Sequence, residues 1–298
     1  MTGWIARHAG KHEGIVYMVL SVFCFAIVNA AAKKLDHIPV HELIFFRAVV
    51  SFVICYWYIR KLKLPFWGNN ITWLLARGIT GLAALILFFS TIKHMPLATA
   101  STIQYLSPIF TVLIAVRMND QPMLRIQWLF FALAMCGVIL IKGTDVRVEG
   151  QWLVAGIISA VLAALAYNSI IRAKHFDHPM TIVMYFPLVS IPLMGLWCLF
   201  EWVQPQGFDW ILLLVMGIFT QSAQYFMTLA LHTERAGLVA PWNYTGAIFA
   251  VAFGWIFFGE SISSLTLGGI VLIGLAVFLN AQSQERLRLR LRKESESA

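Results

Sequence analysis

Charge is scarce in this chain. Asp, Glu, Lys and Arg make up 12% of its 298 residues, while 60% are hydrophobic. An ordinary soluble domain carries roughly twice that share of charge. A soluble core cannot absorb so much apolar surface, so lipid is the expected solvent. Carboxylates are scarcest inside the apolar runs, where none lies deep. That argues against proton coupling through a buried Asp or Glu and leaves His and Tyr as the titrating groups. The four cysteines, Cys24, Cys55, Cys136 and Cys198, all fall inside apolar runs, and there is no C-x-x-C. A disulfide framework and a zinc site are therefore not expected. The chain also lacks a G-x-x-x-x-G-K-[ST] segment, which excludes a self-contained ATP-driven pump. Its connecting segments are short, most of them under about ten residues, which leaves no room for a soluble catalytic domain and makes neighbouring helices antiparallel hairpins. No metal or cofactor is expected.

What remains is a series of ten apolar stretches, at 14–35, 41–59, 71–92, 97–116, 126–141, 152–171, 180–200, 210–231, 237–258 and 264–281. Most approach the ~20 residues that a helix needs to cross a bilayer. The runs are continuous and do not alternate, so they are helices and not barrel strands. The expected fold is an all-α polytopic membrane protein with ten transmembrane helices.

The net charge of +8 could suggest a nucleic-acid partner, but its placement follows topology instead. With the N-terminus inside, fifteen Lys and Arg fall on inner segments and five (Lys33, Lys34, Lys93, Lys142 and Arg147) on outer ones. This bias places both termini in the cytoplasm. The basic tail at 283–298 then contacts anionic lipid, and no nucleic acid is expected. Arg7 and Lys11 ahead of an apolar run ending at Ala30-Ala31-Ala32 have the outline of a cleaved signal. Asn29 and Lys33, however, correspond to Asn168 and Arg172 in an internal repeat, so the first stretch belongs to the fold.

That repeat has an offset of 139 positions. It carries Gln104-Tyr105 onto Asn243-Tyr244, Ile109-Phe110 onto Ile248-Phe249, Gly78-Ile79 onto Gly217-Ile218, Ser51 onto Ser190 and Asn29 onto Asn168, without a gap from 29 to 110. Only 12 of the 82 pairs are identical, so the constant spacing of the apolar runs is the stronger sign of duplication. The expected organisation is a cytoplasmic tail at 1–13, a first five-helix repeat at 14–142, a second at 150–282 and the basic tail. Five crossings is an odd number, so the second repeat starts on the opposite side of the membrane and is inverted. Inverted repeats suit alternating access around a midplane site.

Polar groups inside the stretches are the candidate site, because each costs free energy in lipid. Arg47 and Arg77 each lie about six residues, or roughly 9 Å, from the nearer end. Such arginines usually face a cavity or a partner; snorkelling to headgroups is the competing account. The amides Asn29, Gln104, Asn168, Gln221, Gln224 and Asn243 form a second set. Tyr105, Tyr167, Tyr225, Trp242 and Tyr244 accompany them. Gln221, Gln224 and Tyr225 follow an i, i+3, i+4 spacing. Pro108 and Pro241 loosen the fourth and ninth stretches beside these groups. Interhelical hydrogen bonds explain any one such residue; the collection points to a polar central cavity that binds substrate. Asp120 and Glu260 are expected to cap helices or pair with cations.

Phe45-Phe46-Arg47, then His94-Met95-Pro96-Leu97-Ala98 leading into Tyr105-Leu106-Ser107-Pro108-Ile109-Phe110, then Gly254-Trp255-Ile256-Phe257-Phe258-Gly259-Glu260 with Gly268-Gly269, resemble the drug/metabolite transporter superfamily, specifically its ten-span EamA-type permeases. Asp120-Gln121 departs from the Gly-Glu often found there. The resemblance implies that helices 1–4 and 6–9 surround a cavity, with 5 and 10 peripheral. It also implies movement of amino acids, nucleoside-like compounds or other small organics. The expectation is a secondary transporter or exchanger of a small polar or zwitterionic metabolite in the bacterial inner membrane. It would act as a monomer, with a Gly268, Gly269 and Gly274 dimer surface as the alternative. A lipid-modifying enzyme would need a His and carboxylate cluster at one face, but His94, His232, Glu234 and Glu260 are scattered. A scaffold is disfavoured by the short loops.

Overall fold

A backbone in hydrocarbon must satisfy its N–H and C=O groups internally, and each apolar stretch does so as helix. The computed structural model describes residues 13–118, 125–144, 149–233, 239, 242–243, 245–260 and 263–297, and helix is the sole regular structure among them. The helices are α1 (Glu13–Lys34), α2 (Val40–Lys61), α3 (Ile71–His94), α4 (Leu97–Gln104), α5 (Ser107–Met118), α6 (Arg125–Thr144), α7 (Gly150–Ala173), α8 (Pro179–Cys198), α9 (Asp209–Thr233), α10 (Thr245–Phe258) and α11 (Ser264–Ser297). Seven spans are long and apolar enough to cross a membrane: α1, α2, α3, α4 with α5, α7, α8 and α9. Shorter apolar segments lie in α6 (128–137), α10 and α11 (267–276). The molecule is thus a polytopic, all-helical membrane protein. Asp120, Pro241 and Tyr244 lie outside the described residues.

The fourth expected helix is broken. Pro108 has no N–H for the carbonyl one turn back, so the ladder stops at Gln104 and restarts at Ser107. Leu106 instead donates to the Ile103 carbonyl at 3.0 Å, and Phe110 to that of Leu106 at 3.1 Å. At the positions equivalent to Ile103 and Gln104, the last two residues of α4, residues 242–243 are 3-10 rather than α-helical, ahead of α10.

The packing has an exchange pattern. Helix α3 packs along α7, and α9 along α1; α5 contacts α7, and α10 contacts α1; α2 contacts α9, and α8 contacts α3. Shifting each helix by the 139 offset converts the first pair of every couple into the second. The remaining close pairs, α2 with α8 and α6 with α11, convert into themselves. The detail follows the same rule. A Cβ on Gly78 would come within 3 Å of Val189, and a Cβ on Gly217 within 3 Å of Val50. Gly78 and Gly217 are equivalent, as are Val50 and Val189. Gly68 and Gly207, also equivalent, both have positive φ, +67° and +47°, which glycine tolerates.

Loops are fastened by buried polar groups in the first turns of α2 and α8. Glu42 is fully buried and accepts from the Val203 N–H at 3.0 Å. His41 bonds the Glu201 carbonyl at 2.9 Å. On the other side, Thr181 donates to the Pro65 carbonyl at 3.4 Å, and Tyr185 to that of Trp67 at 2.7 Å. Asp177 accepts from the backbone N–H of Asn69 at 2.6 Å. Beyond α10, Glu260 pairs with Lys33 at the end of α1. The same carboxylate accepts from the Leu97 N–H at 3.0 Å, capping α4, while Lys33 also donates to the Met95 carbonyl at 3.0 Å. Glu260 therefore both caps a helix and meets a cation.

Two outcomes are expected. Gly78→Ala and Gly217→Ala should each lower the thermal unfolding midpoint in detergent, through overpacking of about 1–3 kcal/mol, and Val189→Ala should relieve only part of the first, because the Tyr185 carbonyl also stands 2.8 Å from that Cβ, and none of the second. Glu260→Gln should also lower that midpoint, because it leaves a poorly hydrated Lys33 without its counter-charge. The Lys33→Gln/Glu260→Gln double variant should recover part of the loss, as read in a double-mutant cycle.

Candidate functional site

The broken helix and the glycine-mediated crossings leave a cavity of about 150 Å³ where the two halves meet. Its walls come from α1 through α5 and α7 through α10, and no described residue of α6 or α11 contributes. Those two helices pack against each other outside it. Phenylalanines and small residues make most of the surface, and the polar groups are few and specific.

The cavity brings together eight of the candidate residues. Arg47, Arg77 and Asn29 line it, as do Gln104, Tyr105 and Tyr167, together with Gln224 and Asn243. The two guanidinium groups are 2% and 3% exposed, so both have left the lipid-facing surface and neither snorkels. Arg47 emerges from the α2 face that packs inward. Its guanidinium carbon lies 5.4 Å from the Phe89 ring centre and 5.2 Å from that of Phe186. Its Nε has no hydrogen-bond partner. Glu42, five residues earlier, serves Val203 instead. Arg77 is held differently: its Nη2 donates to Gln224 Oε1 at 2.7 Å. The Arg77 charge acts unfavourably on Arg47 across the cavity.

The amides and phenols complete the walls. Ser159 donates to Gln104 Oε1 at 3.0 Å and to the Ala84 carbonyl at 2.7 Å. Tyr167 and Ser107 both line the cavity beside the helix break. These contacts fix side chains that would otherwise rotate, so the cavity presents a set geometry of cations, amides and aromatic faces. A site like this can hold a small organic molecule by charge, hydrogen bonds and stacking. Among the described residues no group of three or more His, Cys, Asp and Glu could hold a metal ion.

Four candidates lie elsewhere. Asn168 is fully buried, but its amide donates to the carbonyls of Thr111 at 3.1 Å and Ala164 at 2.9 Å, tying α7 to α5. Gln221 accepts from Ser51 and reaches Met180 Sδ at 3.5 Å. Tyr225 lies beside Tyr58, ring centres 6.2 Å apart, and packs against the cluster of Cys55 and Ile59. Trp242 is 41% exposed. The i, i+3, i+4 set on α9 therefore divides. At 3.6 residues per turn, adjacent Gln224 and Tyr225 point about 100° apart, enough to send one into the cavity and the other toward α2. Residue-type reasoning missed Phe89 and Phe186, the rings that hold Arg47. One signal was available for the second: Phe186 is the 139-offset equivalent of Arg47.

The EamA-like transporter family matches this chain twice, at residues 12–143 and 150–282. The pseudopaline exporter CntI of Pseudomonas aeruginosa is 32% identical over 271 residues, spanning 89% of this chain and 94% of that protein. Solute carrier family 35 member G1 of Mus musculus is 28% identical, over 87% of this chain and 76% of its own length. The S-adenosylmethionine uptake transporter of Rickettsia prowazekii is 23% identical, over 92% of this chain and 92% of its own length. A crystal structure with 15% identity superposes with a TM-score of 0.69, covering 92% of this chain and 98% of that one, which shows a shared fold. With a buried, polar-lined cavity inside a lipid-facing bundle and the family matched over both halves, the chain is a membrane transporter of small metabolites, not an enzyme, and belongs to the EamA-like transporter family.

Proposed function

We propose that this chain is a secondary active transporter or exchanger that moves a small organic metabolite across the bacterial inner membrane by alternating access. The observation that carries the reading is the cavity between the halves, with Arg47 buried in it and no counter-charge beside it among the described residues. A structural arginine in a membrane protein is normally paired; an unpaired one facing a cavity is a binding group.

The exchange pattern supports ten crossings arranged as two inverted five-helix repeats, 14–142 and 150–282. Equivalent helices contact equivalent partners, and Gly78–Val189 mirrors Gly217–Val50. Two such halves can swap conformations, and each swap opens the cavity to the other side. In the positive-inside orientation the Lys33–Glu260 pair sits at the outer face, where it holds the first turn of α4 against α1. Leu97, whose N–H Glu260 accepts, is itself a cavity wall. The pair thus acts as an outer latch.

In this scheme Arg47 holds the charged end of the substrate, Arg77 is steered by Gln224, and Asn29, Gln104 and Asn243 orient the body between Tyr105 and Tyr167. Relatives named for export and for uptake suit a carrier whose direction is set by gradients. The monomer is the functional unit, because one chain encloses the cavity. The space beside Gly137 is filled by Ile273 and the Gly269 carbonyl, so part of the glycine-rich surface of α11 is used within the chain.

The test is reconstitution. Proteoliposomes holding the protein should accumulate a labelled metabolite when loaded with the same unlabelled compound, and empty liposomes should not. Arg47→Ala should abolish this counterflow at unchanged protein content. Normal counterflow in that variant would remove Arg47 from the site.

A further inference from the structure

Resting on the transporter reading, the geometry points to a narrower substrate class: a net-negative organic anion, whose oxyanion binds Arg47 and whose apolar body lies between aromatic walls. Four observations carry it. The described cavity lining contains two guanidinium groups and no Asp, Glu, Lys or His. Arg47 is 2% exposed and, among the described residues, has neither an ion pair nor a hydrogen bond, while Arg77 is engaged by Gln224. The ion pairs among the described residues involve Lys33 and His37, not these arginines. The amide oxygens of Gln104 and Gln224 already accept from Ser159 and Arg77, so their uncommitted ends are N–H₂ donors.

Each of these favours an acceptor-rich, negative ligand. Guanidinium presents a planar fork that fits carboxylate or phosphate with two parallel hydrogen bonds. Phe89 and Phe186 offset part of the desolvation of Arg47 but supply no acceptor. A zwitterion would place its ammonium in the field of two cations with no carboxylate in the described lining to receive it, and a cation would meet the same field with only aromatic faces and amide oxygens as partners. The expected zwitterion therefore gives way to an anion. The cavity's modest room suits a body about the size of one ring.

A matched set of probes with one phenyl body separates the cases. The purified protein in nanodiscs is titrated calorimetrically with 3-phenylpropanoate, phenyl phosphate, phenylalanine, phenethylammonium and 3-phenylpropanamide. At least one oxyanion probe should bind about tenfold or more tighter than the zwitterion, the cation and the amide, a difference of about 1.4 kcal/mol. Comparing carboxylate with phosphate identifies which oxyanion the fork prefers. Arg47→Gln should erase the preference, and Arg47→Lys should keep part of it. Equal or tighter binding of phenylalanine or phenethylammonium overturns the inference, as does the absence of any oxyanion binding at millimolar concentration. Neither outcome depends on a variant folding. Counterflow of the same probes keeps the two readings apart. An anion that binds without being moved defeats the transporter reading and leaves the anion site standing, whereas counterflow of a zwitterion with no anion binding does the reverse.

Discussion

A buried positive charge, with no counter-ion among the described residues, sits at the centre of this molecule. In a medium of low dielectric an unpaired guanidinium is costly, by several kcal/mol after relaxation. Two phenylalanine faces offset part of that cost, each by about 0.5–2 kcal/mol, but accept no hydrogen bond. Arg47 is placed there nonetheless, on a helix face that packs inward and inside a cavity, with the nearest carboxylate on its own helix diverted to a backbone N–H of another loop. A ligand oxyanion in the cavity would supply the acceptor that no described side chain gives Arg47. This is how a transporter separates affinity from stability: the empty carrier keeps an unmet need that the substrate meets.

The rest of the fold shapes that cavity. Short loops join consecutive helices, but the most extensive packing is between helices of different halves, α3 along α7, α9 along α1 and α2 along α8, so the halves interleave instead of forming two separate bundles. Close crossings at Gly78 and Gly217 bring the halves together, while the break at Pro108 and the turn at 242–243 remove regular helix where the cavity needs polar side chains. Helices α6 and α11 pack on each other outside and leave the inner helices to shape the site. At the ends, polar contacts from Glu42, Asp177 and the Lys33–Glu260 pair hold loops that would otherwise have to be bound by apolar surface already committed to lipid.

Much of this was legible in the residues, because a bilayer imposes few solutions. Apolar run length announced the helices, and the arginines and amides marked the polar interior. Eight of these groups do line one cavity. What could not be read was direction around a helix axis in a bundle where every face is apolar. Gln224 and Tyr225 differ by one position and serve different neighbours. Asn168 has the same chemistry as Asn29 and an equivalent place in the repeat, yet its amide donates to carbonyls of α5 and its own helix. Glu42, a carboxylate in the first turn of α2, is completely buried. Such choices depend on crossing geometry, which glycine contacts decide and hydrophobic periodicity does not record. The helices' lipid-facing and protein-facing residues are nearly alike in polarity, so periodicity is weak here for a physical reason.

The most direct measurement is the unfolding midpoint of ligand-free Arg47→Met, set against wild type in the same detergent. Methionine keeps the packing between Phe89 and Phe186 and removes the charge. If Arg47 is an unpaired binding group, the empty variant should be as stable as wild type or more stable, since replacing an unfavourably buried charge by an apolar group is neutral or stabilising by about 1–4 kcal/mol. It should also no longer be stabilised by any anion that stabilises wild type. A clear loss of stability in the ligand-free variant would show that Arg47 is a structural link, and the account of the cavity as a site waiting for an anion would fail with it.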